Sequence, residues 1–239
     1  MNTAASLVFL LDVDNTLLDN DQVQADLDAH IAKLFGAEAA KTYWALYETL
    51  REKLGYADYL GAIQQFRLEC DDEVLAQDLA AWLLSYPFAD RVYPGALDAV
   101  AHLSQFGECV VLSDGDVVLQ PRKIEASGIA HAVQDRVLIY VHKERMLDDV
   151  ARRFPAQHYV MVEDKLRVLD GMKRRWRERL TTVFVRQGHY ANDPAARKEY
   201  PPAQIELGGI RELCNLDAGA FVSPSGHSSS KPATATEQP

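Results

Sequence analysis

Asp12 and Asp14 stand two residues apart, directly after the unbroken apolar run 7–11. On a chain that is still extended, residues i and i+2 point the same way. Carboxylates that close repel each other unless a cation or a proton sits with them. The pair therefore points to a hard metal ion, a shared proton, or both. Three uses compete. An isolated D-x-D is most often a polar turn at a strand end. A calcium loop of the EF-hand type needs Gly at its sixth position and Glu at its twelfth, where Leu17 and Val23 stand, so that use is excluded. The third is nucleophilic attack by a carboxylate that forms an aspartyl-phosphate.

Partners for such chemistry follow in order. Short apolar strands are expected at 109–112, 137–140, 159–162 and 182–185, separated by helical patterns. The first of these strands ends at Ser113. The second is followed by Lys143, and the third ends at Glu163 and Asp164. In an open parallel sheet the carboxyl ends of the strands gather along one edge, where ligands bind. One cleft would then hold two acidic clusters, a hydroxyl and an ammonium. Magnesium is bound through one or two carboxylates plus waters and substrate phosphate. A phosphoryl group in transfer needs its oxygens held by cations and hydrogen-bond donors. Ser113 and Lys143 supply donors, and Asp12 with Asp164 supply metal ligands. Each residue has an ordinary explanation when taken alone. Ser113 is a strand-end turn residue, Lys143 a solvated lysine, and Glu163-Asp164 a helix cap. Ser113 is not a hydrolase nucleophile elbow, because Val111 stands where G-x-S-x-G needs glycine. Four suitable residue types in order, each at a strand end, make joint coincidence improbable.

With these motifs in view, the chain resembles the haloacid dehalogenase-like (HAD) superfamily over residues 7–184. Asp12 to Thr16 (D-V-D-N-T) resembles its first motif and Ser113 its second. Lys143 matches the third motif and Glu163-Asp164 the fourth. The resemblance implies an α/β fold, a doubly wound parallel sheet of Rossmann type, with an all-helical cap inserted after the first strand. It implies that Asp12 is the nucleophile and Asp14 the general acid/base. Magnesium would be held by Asp12, the main-chain carbonyl of Asp14, and Asp164. Ser113, Asp114 and Lys143 would form the phosphate-binding set, with Thr16 and Glu163 in support. Two positions depart from the family pattern. Asp114 follows Ser113 where Asn is frequent, and Glu144 follows Lys143 where Pro is frequent. A carboxylate beside a phosphate is unfavourable unless it faces away or pairs.

The elements that must position these groups can be read from periodicity. Apolar residues at helical spacing predict four helices between Asp21 and Tyr86. Gly36 and Gly55 end the first two, and Asp71 or Asp72 caps the fourth. The expected organisation is a core domain of residues 1–19 and 88–216, a helical cap of residues 20–87, and a disordered tail of residues 217–239 rich in Ser, Pro, Thr and Gly. Tyr43, Trp44 and Tyr47 read as cap core. The basic cluster 173–177 reads as the solvated end of a helix.

Composition narrows the partners. The chain has 239 residues, a formal net charge of −10 and 48% hydrophobic residues. The negative charge disfavours nucleic acid and anionic membranes. The three cysteines form no C-x-x-C, which fits a reducing cytoplasm. No apolar run reaches membrane-spanning length, and the N-terminus carries no basic signal-peptide start. The expectation is a magnesium-dependent phosphatase acting on a small phosphorylated molecule, as a monomer or homodimer. Alternatives are a phosphomutase and a non-catalytic binding protein on the same scaffold. A dehalogenase fits less well, because Asp14 has no use in displacing a halide. A phosphonate-cleaving enzyme would need a cap lysine, with Lys33, Lys41 and Lys53 as candidates.

Overall fold

A computed structural model describes residues 5–70 and 72–222. The apolar run forms β1 (Ala5–Leu11), the centre of the molecule. Four helices follow: α1 (Asn20–Phe35), α2 (Ala37–Leu54), α3 (Tyr59–Phe66) and α4 (Glu73–Leu84). The chain then alternates through α5 (Ala96–Leu103), β2 (Glu108–Asp114), α6 (Leu119–Ala126), α7 (Ile129–Ala132), β3 (Val137–Tyr140), α8 (Leu147–Arg153), β4 (Ala156–Glu163), α9 (Leu166–Trp176) and β5 (Leu180–Val185). It finishes with α10 (Gly188–Ala191), α11 (Pro194–Glu199), β6 (Ile205–Leu207) and α12 (Ala218–Val222).

The six strands form one sheet in the order β3-β2-β1-β4-β5-β6, and every pair is parallel. This is the doubly wound arrangement expected from the alternation of strand and helix. β1 is apolar from Leu7 to Leu11 because both of its faces are buried there. Phe9 and Leu11 pack on one side with Val100, Leu103 and Phe221. Val8 and Leu10 pack on the other with Leu147, Val150, Leu169 and Met172.

The helix punctuation follows the sequence. Gly55 ends α2 in the left-handed conformation at φ 83°, where a glycine carries no Cβ penalty. Asp72 caps α4 by accepting the N–H groups of Val74 and Leu75, while Asp71 lies outside the described residues. Tyr43 and Tyr47 are buried within the helical unit. Arg174 pairs with Asp170 and Arg175 with Asp148 on the exposed end of α9. Among the described residues no helix is long and apolar enough to cross a membrane.

One expectation for the tail is corrected. Residues 217–222 are ordered: they contain α12, and Phe221 is fully buried, edge-on to Phe9 at 5.1 Å. The Phe221 carbonyl also accepts a 2.6 Å hydrogen bond from Thr181 Oγ1. A single large aromatic in a short Ala- and Gly-containing segment gives no periodicity to read, yet here it supplies a core contact. The rest of the expected tail, 223–239, lies outside the described residues.

A charged cluster ties α1 to the segment that returns from the helices to the sheet. Asp26 Oδ2 accepts from Tyr86 Oη at 2.5 Å and from Arg91 Nη2 at 2.8 Å. Burial opposes the Asp26 charge, but the donors of Tyr86 and Arg91 outweigh it and hold the carboxyl below its ordinary value. A group of that kind stabilises the fold above its unfolded pKa and loses the contribution as pH falls through its folded pKa. Asp26→Asn is expected to cost ~1–2 kcal/mol at neutral pH, a charged hydrogen-bond contribution reduced by partial exposure. The difference from wild type should shrink below about pH 4. Urea unfolding at several pH values checks it.

Candidate active site

Register brings the sequence motifs together. Leu11 pairs with Val111 on one side and Val162 on the other. The next residues along β1, β2 and β4 are therefore Asp12, Leu112-Ser113 and Glu163-Asp164. Ser113 pairs with Ile139 and Asp114 with Tyr140, which sets Lys143 just past the end of β3. The backbone N–H of Asp12 donates to the Val162 carbonyl at 3.0 Å.

Asp12, Lys143, Glu163 and Asp164 are all buried. Lys143 Nζ donates to Asp12 Oδ1 and to the Leu112 carbonyl (3.2 Å), and lies 2.6 Å from Glu163 Oε2. Burial works against the charge of Lys143, but Asp12 and Glu163 outweigh it and hold its pKa above the ordinary lysine value. For Asp12, burial and repulsion by Glu163 exceed the pull of Lys143 and push its pKa up to about 6. Burial likewise holds Asp164 well above the usual carboxylate range.

Asp12, Glu163 and Asp164 each offer an oxygen within 4.8 Å of the others. Both carboxylate oxygens of Asp164, and Oδ2 of Asp12, are buried with no hydrogen-bond partner. Buried polar atoms are ordinarily satisfied, and a buried carboxylate without a partner is costly. The donor set is all oxygen, which suits a hard divalent cation. The residues present fit a hard divalent cation held by Asp12 and Asp164, with Glu163 beside it and engaged by Lys143.

Asp14 lies one step outward, lining a cavity of about 290 Å³ between the sheet edge and the helices. Its Oδ1 accepts from Lys123 Nζ at 2.7 Å and its Oδ2 from Gln120 Nε2 at 3.2 Å. Gln120 Nε2 also reaches Ser113 Oγ at 2.9 Å. The turn beyond Asp14 is made by Asn15 at φ 62°, a left-handed position that Asn tolerates better than most residues. Asn15 Oδ1 accepts from the N–H groups of Asn20 and Asp21, which joins this turn to the start of α1. Thr16 is buried beside it, and its carbonyl accepts from Gln187 Nε2.

Asp114, expected among the phosphate-binding residues, lines the cavity with Asp14, and its side chain is engaged by the neighbouring loop. Its Oδ1 accepts the backbone N–H of Lys143 at 2.7 Å. An ionised carboxylate has no proton to offer a phosphate. Asp114 instead fixes the loop that carries Lys143, which is how a carboxylate is tolerated there. Glu144 is similarly engaged, pairing with Arg167 at 3.2 Å.

Three residues of the site were not singled out by sequence. Lys123 and Gln120 sit on α6 within an ordinary amphipathic pattern, where a lysine reads as surface. Their i, i+3 spacing, which puts both on one helix face, was the available signal. Lys165 lines the cavity with its ammonium 4.8 Å from the centre of the Tyr190 ring. Burial opposes its charge, but Asp164, Asp12 and Glu163 more than compensate and raise its pKa. From the helical unit, Tyr47, Arg51, Tyr56 and Tyr59 also face this cavity. Lys33, Lys41 and Lys53 are exposed and do not line it.

Fold and site together define a doubly wound α/β protein with a carboxylate–lysine centre at the carboxyl edge of its sheet. A family model for haloacid dehalogenase-like hydrolases matches residues 7–174. The chain belongs to that family, and its enzymatic class is a hydrolase. A solved structure assigned as a haloacid dehalogenase-like hydrolase, from Burkholderia xenovorans LB400, is 56% identical with a TM-score of 0.85. That match covers 89% of this chain and 99% of the other. More distant structures share the fold. The L-2-haloacid dehalogenase from Xanthobacter autotrophicus is 16% identical (TM-score 0.57, 87% and 96% covered). A structure assigned as a β-phosphoglucomutase, from Thermotoga maritima, is 14% identical (TM-score 0.59, 87% and 96% covered). A search of curated proteins returned no match.

Proposed function

We propose that this hydrolase is a magnesium-dependent phosphatase that cleaves a small phosphomonoester through an aspartyl-phosphate on Asp12. The observation that carries the reading is the second carboxylate, Asp14, two residues from Asp12 and lining the cavity. An acid/base group at that place serves ester cleavage, whereas displacement of a halide has no use for one.

In this reading an oxygen of Asp12 attacks phosphorus, and the P–O bond to the leaving group breaks. Asp14 gives its proton to the departing oxygen. Asp14 then takes a proton from water as that water attacks phosphorus. The P–O bond to Asp12 breaks, which frees Asp12 and inorganic phosphate. Lys143 and Ser113 hold phosphoryl oxygens. Magnesium, held by Asp12, Asp164 and the main-chain carbonyl of Asp14, would supply positive charge against the phosphoryl oxygens. The charges around the site support a divalent ion. Asp12, Glu163 and Asp164 crowd three buried carboxylates together, and both oxygens of Asp164 and one of Asp12 have no hydrogen-bond partner. The direct test is a panel of phosphate esters assayed with and without magnesium. Activity should vanish in chelator and return with magnesium, with calcium a poor substitute. Full turnover in excess chelator would overturn the metal requirement.

The same reading predicts a change in stability. A ligand that binds only the folded state stabilises it by about 2.7 kcal/mol at a hundred times its Kd. Magnesium should raise the Tm of the wild type. Asp164→Asn removes a metal ligand, so the magnesium-dependent rise should be lost. Calorimetry at fixed pH checks both.

Specificity should reside in the helical unit. Arg51 and Tyr56 line the cavity. Arg67 does not: it pairs with Glu73 on the exposed surface. Arg51→Ala or Tyr56→Phe should shift kcat/KM between substrates by ~10–100-fold, the size of a single lost pocket contact. Arg67→Ala should leave the ranking unchanged. A common factor across all substrates would give these residues only a structural role.

A further inference from the structure

Lys123 is 1% exposed, and Asp14 is the one carboxylate that pairs with its ammonium among the described residues. A buried ammonium is strongly disfavoured without a counter-charge. Lys123 and Asp14 therefore hold each other in one arrangement. The ammonium takes Asp14 Oδ1 at 2.7 Å, and Oδ2 keeps only the longer 3.2 Å contact from Gln120. The less tightly held Oδ2 is the oxygen free to carry a proton. Lys123 also donates to Asn20 Oδ1 at 2.9 Å, and Asn20 Nδ2 donates to the hydroxyl of Tyr59 at 3.1 Å. Asn20 and Tyr59 belong to the helical unit and line the cavity. One buried ammonium thus joins the acid/base carboxylate to the wall against which a substrate would rest.

We propose that Lys123 is a positioning residue for the acid/base step: it fixes Asp14 by Oδ1, presents Oδ2 to the leaving oxygen and then to water, and ties that placement to the helical wall through Asn20. This rests on the reading of Asp14 as the acid/base group. Proton transfer needs Oδ2 within hydrogen-bond reach of the reacting oxygen. A displacement of about 1 Å at a reacting group can cost on the order of 10²-fold.

The test compares an alkyl phosphate, whose leaving group needs a proton, with an aryl phosphate of an acidic phenol, which hardly does. Read by rapid mixing, Lys123→Met should slow the phosphorylation step about 10²-fold on the alkyl ester and hardly change it on the aryl ester, which should show a phenol burst followed by slowed turnover. Lys123→Arg keeps the charge but moves the donor, so it should lose less while retaining the bias toward the alkyl ester. It also serves if the methionine variant does not fold. Combined with Asp14→Asn, Lys123→Met should add no further loss on the alkyl ester, as for two residues acting in one step. An equal loss in the phosphorylation step on both esters, or losses that multiply in the double variant, would make Lys123 a packing residue and overturn the proposal. Asp14→Asn by itself tests the underlying reading. If that variant discriminates between the esters and Lys123→Met does not, only the proposal fails. If Asp14→Asn does not discriminate, the acid/base reading fails first.

Discussion

Asp12→Asn should abolish turnover, with a loss on the order of 10⁴–10⁶-fold as for removal of a covalent nucleophile. The fold should survive. Asp12 is buried beside Glu163, and its charge is disfavoured there, as its raised pKa records. A neutral amide of the same shape relieves that repulsion and leaves Lys143 paired with Glu163 at 2.6 Å. Far-UV circular dichroism and Tm should match or exceed those of the metal-free wild type, while phosphate release falls to background. Lost activity with an intact fold would assign Asp12 a chemical role. Comparable turnover on any phosphomonoester would remove it as nucleophile.

Asp14→Asn should divide the reaction into its two halves. General acid/base groups typically contribute about 10²–10⁴-fold. With an aryl phosphate the first half needs little acid, so Asp12 should still be phosphorylated. The second half needs a base for water and should stall. Rapid mixing should show a burst of up to one phenol per active site, then slow turnover. An alkyl phosphate should show no burst. The substitution also strands the buried Lys123 ammonium, so a stability loss of ~3–5 kcal/mol accompanies it. Lys123→Met in the same chain should recover part of that loss. Turnover of both esters at the wild-type rate would show that Asp14 is not the acid/base group.

The parts of the molecule legible from sequence are those governed by local rules. β1 is an apolar run because both of its faces are covered, and β3 falls on residues 137–140 as its pattern requires. Gly36 and Gly55 stop helices where a chain without them would continue. The strand-end residues Asp12, Ser113, Lys143 and Asp164 could be gathered in advance because parallel topology brings strand ends to one edge. What escaped depends on tertiary partners. β6 has three residues, one of them charged, and exists through its pairing with β5. Phe221 is ordered by Phe9, more than two hundred positions away in the chain. Lys123 is indistinguishable from a surface lysine until Asp14 and Asn20 are seen around it. The extra carboxylate of Asp114 is explained by a backbone N–H from Lys143, a contact that no side-chain pattern encodes.

The proposed reaction turns on a covalent phosphoryl group on Asp12. Asp14→Asn protein with magnesium should be mixed with an aryl phosphate, quenched in acid during the burst, digested and mapped by mass spectrometry. One added phosphoryl group is expected on the peptide containing Asp12, absent when Asp12 is also replaced by Asn and removed by hydroxylamine, which cleaves acyl phosphates. Release of phenol and phosphate in equal amounts from the first turnover, with the Asp12 peptide unmodified, would contradict it.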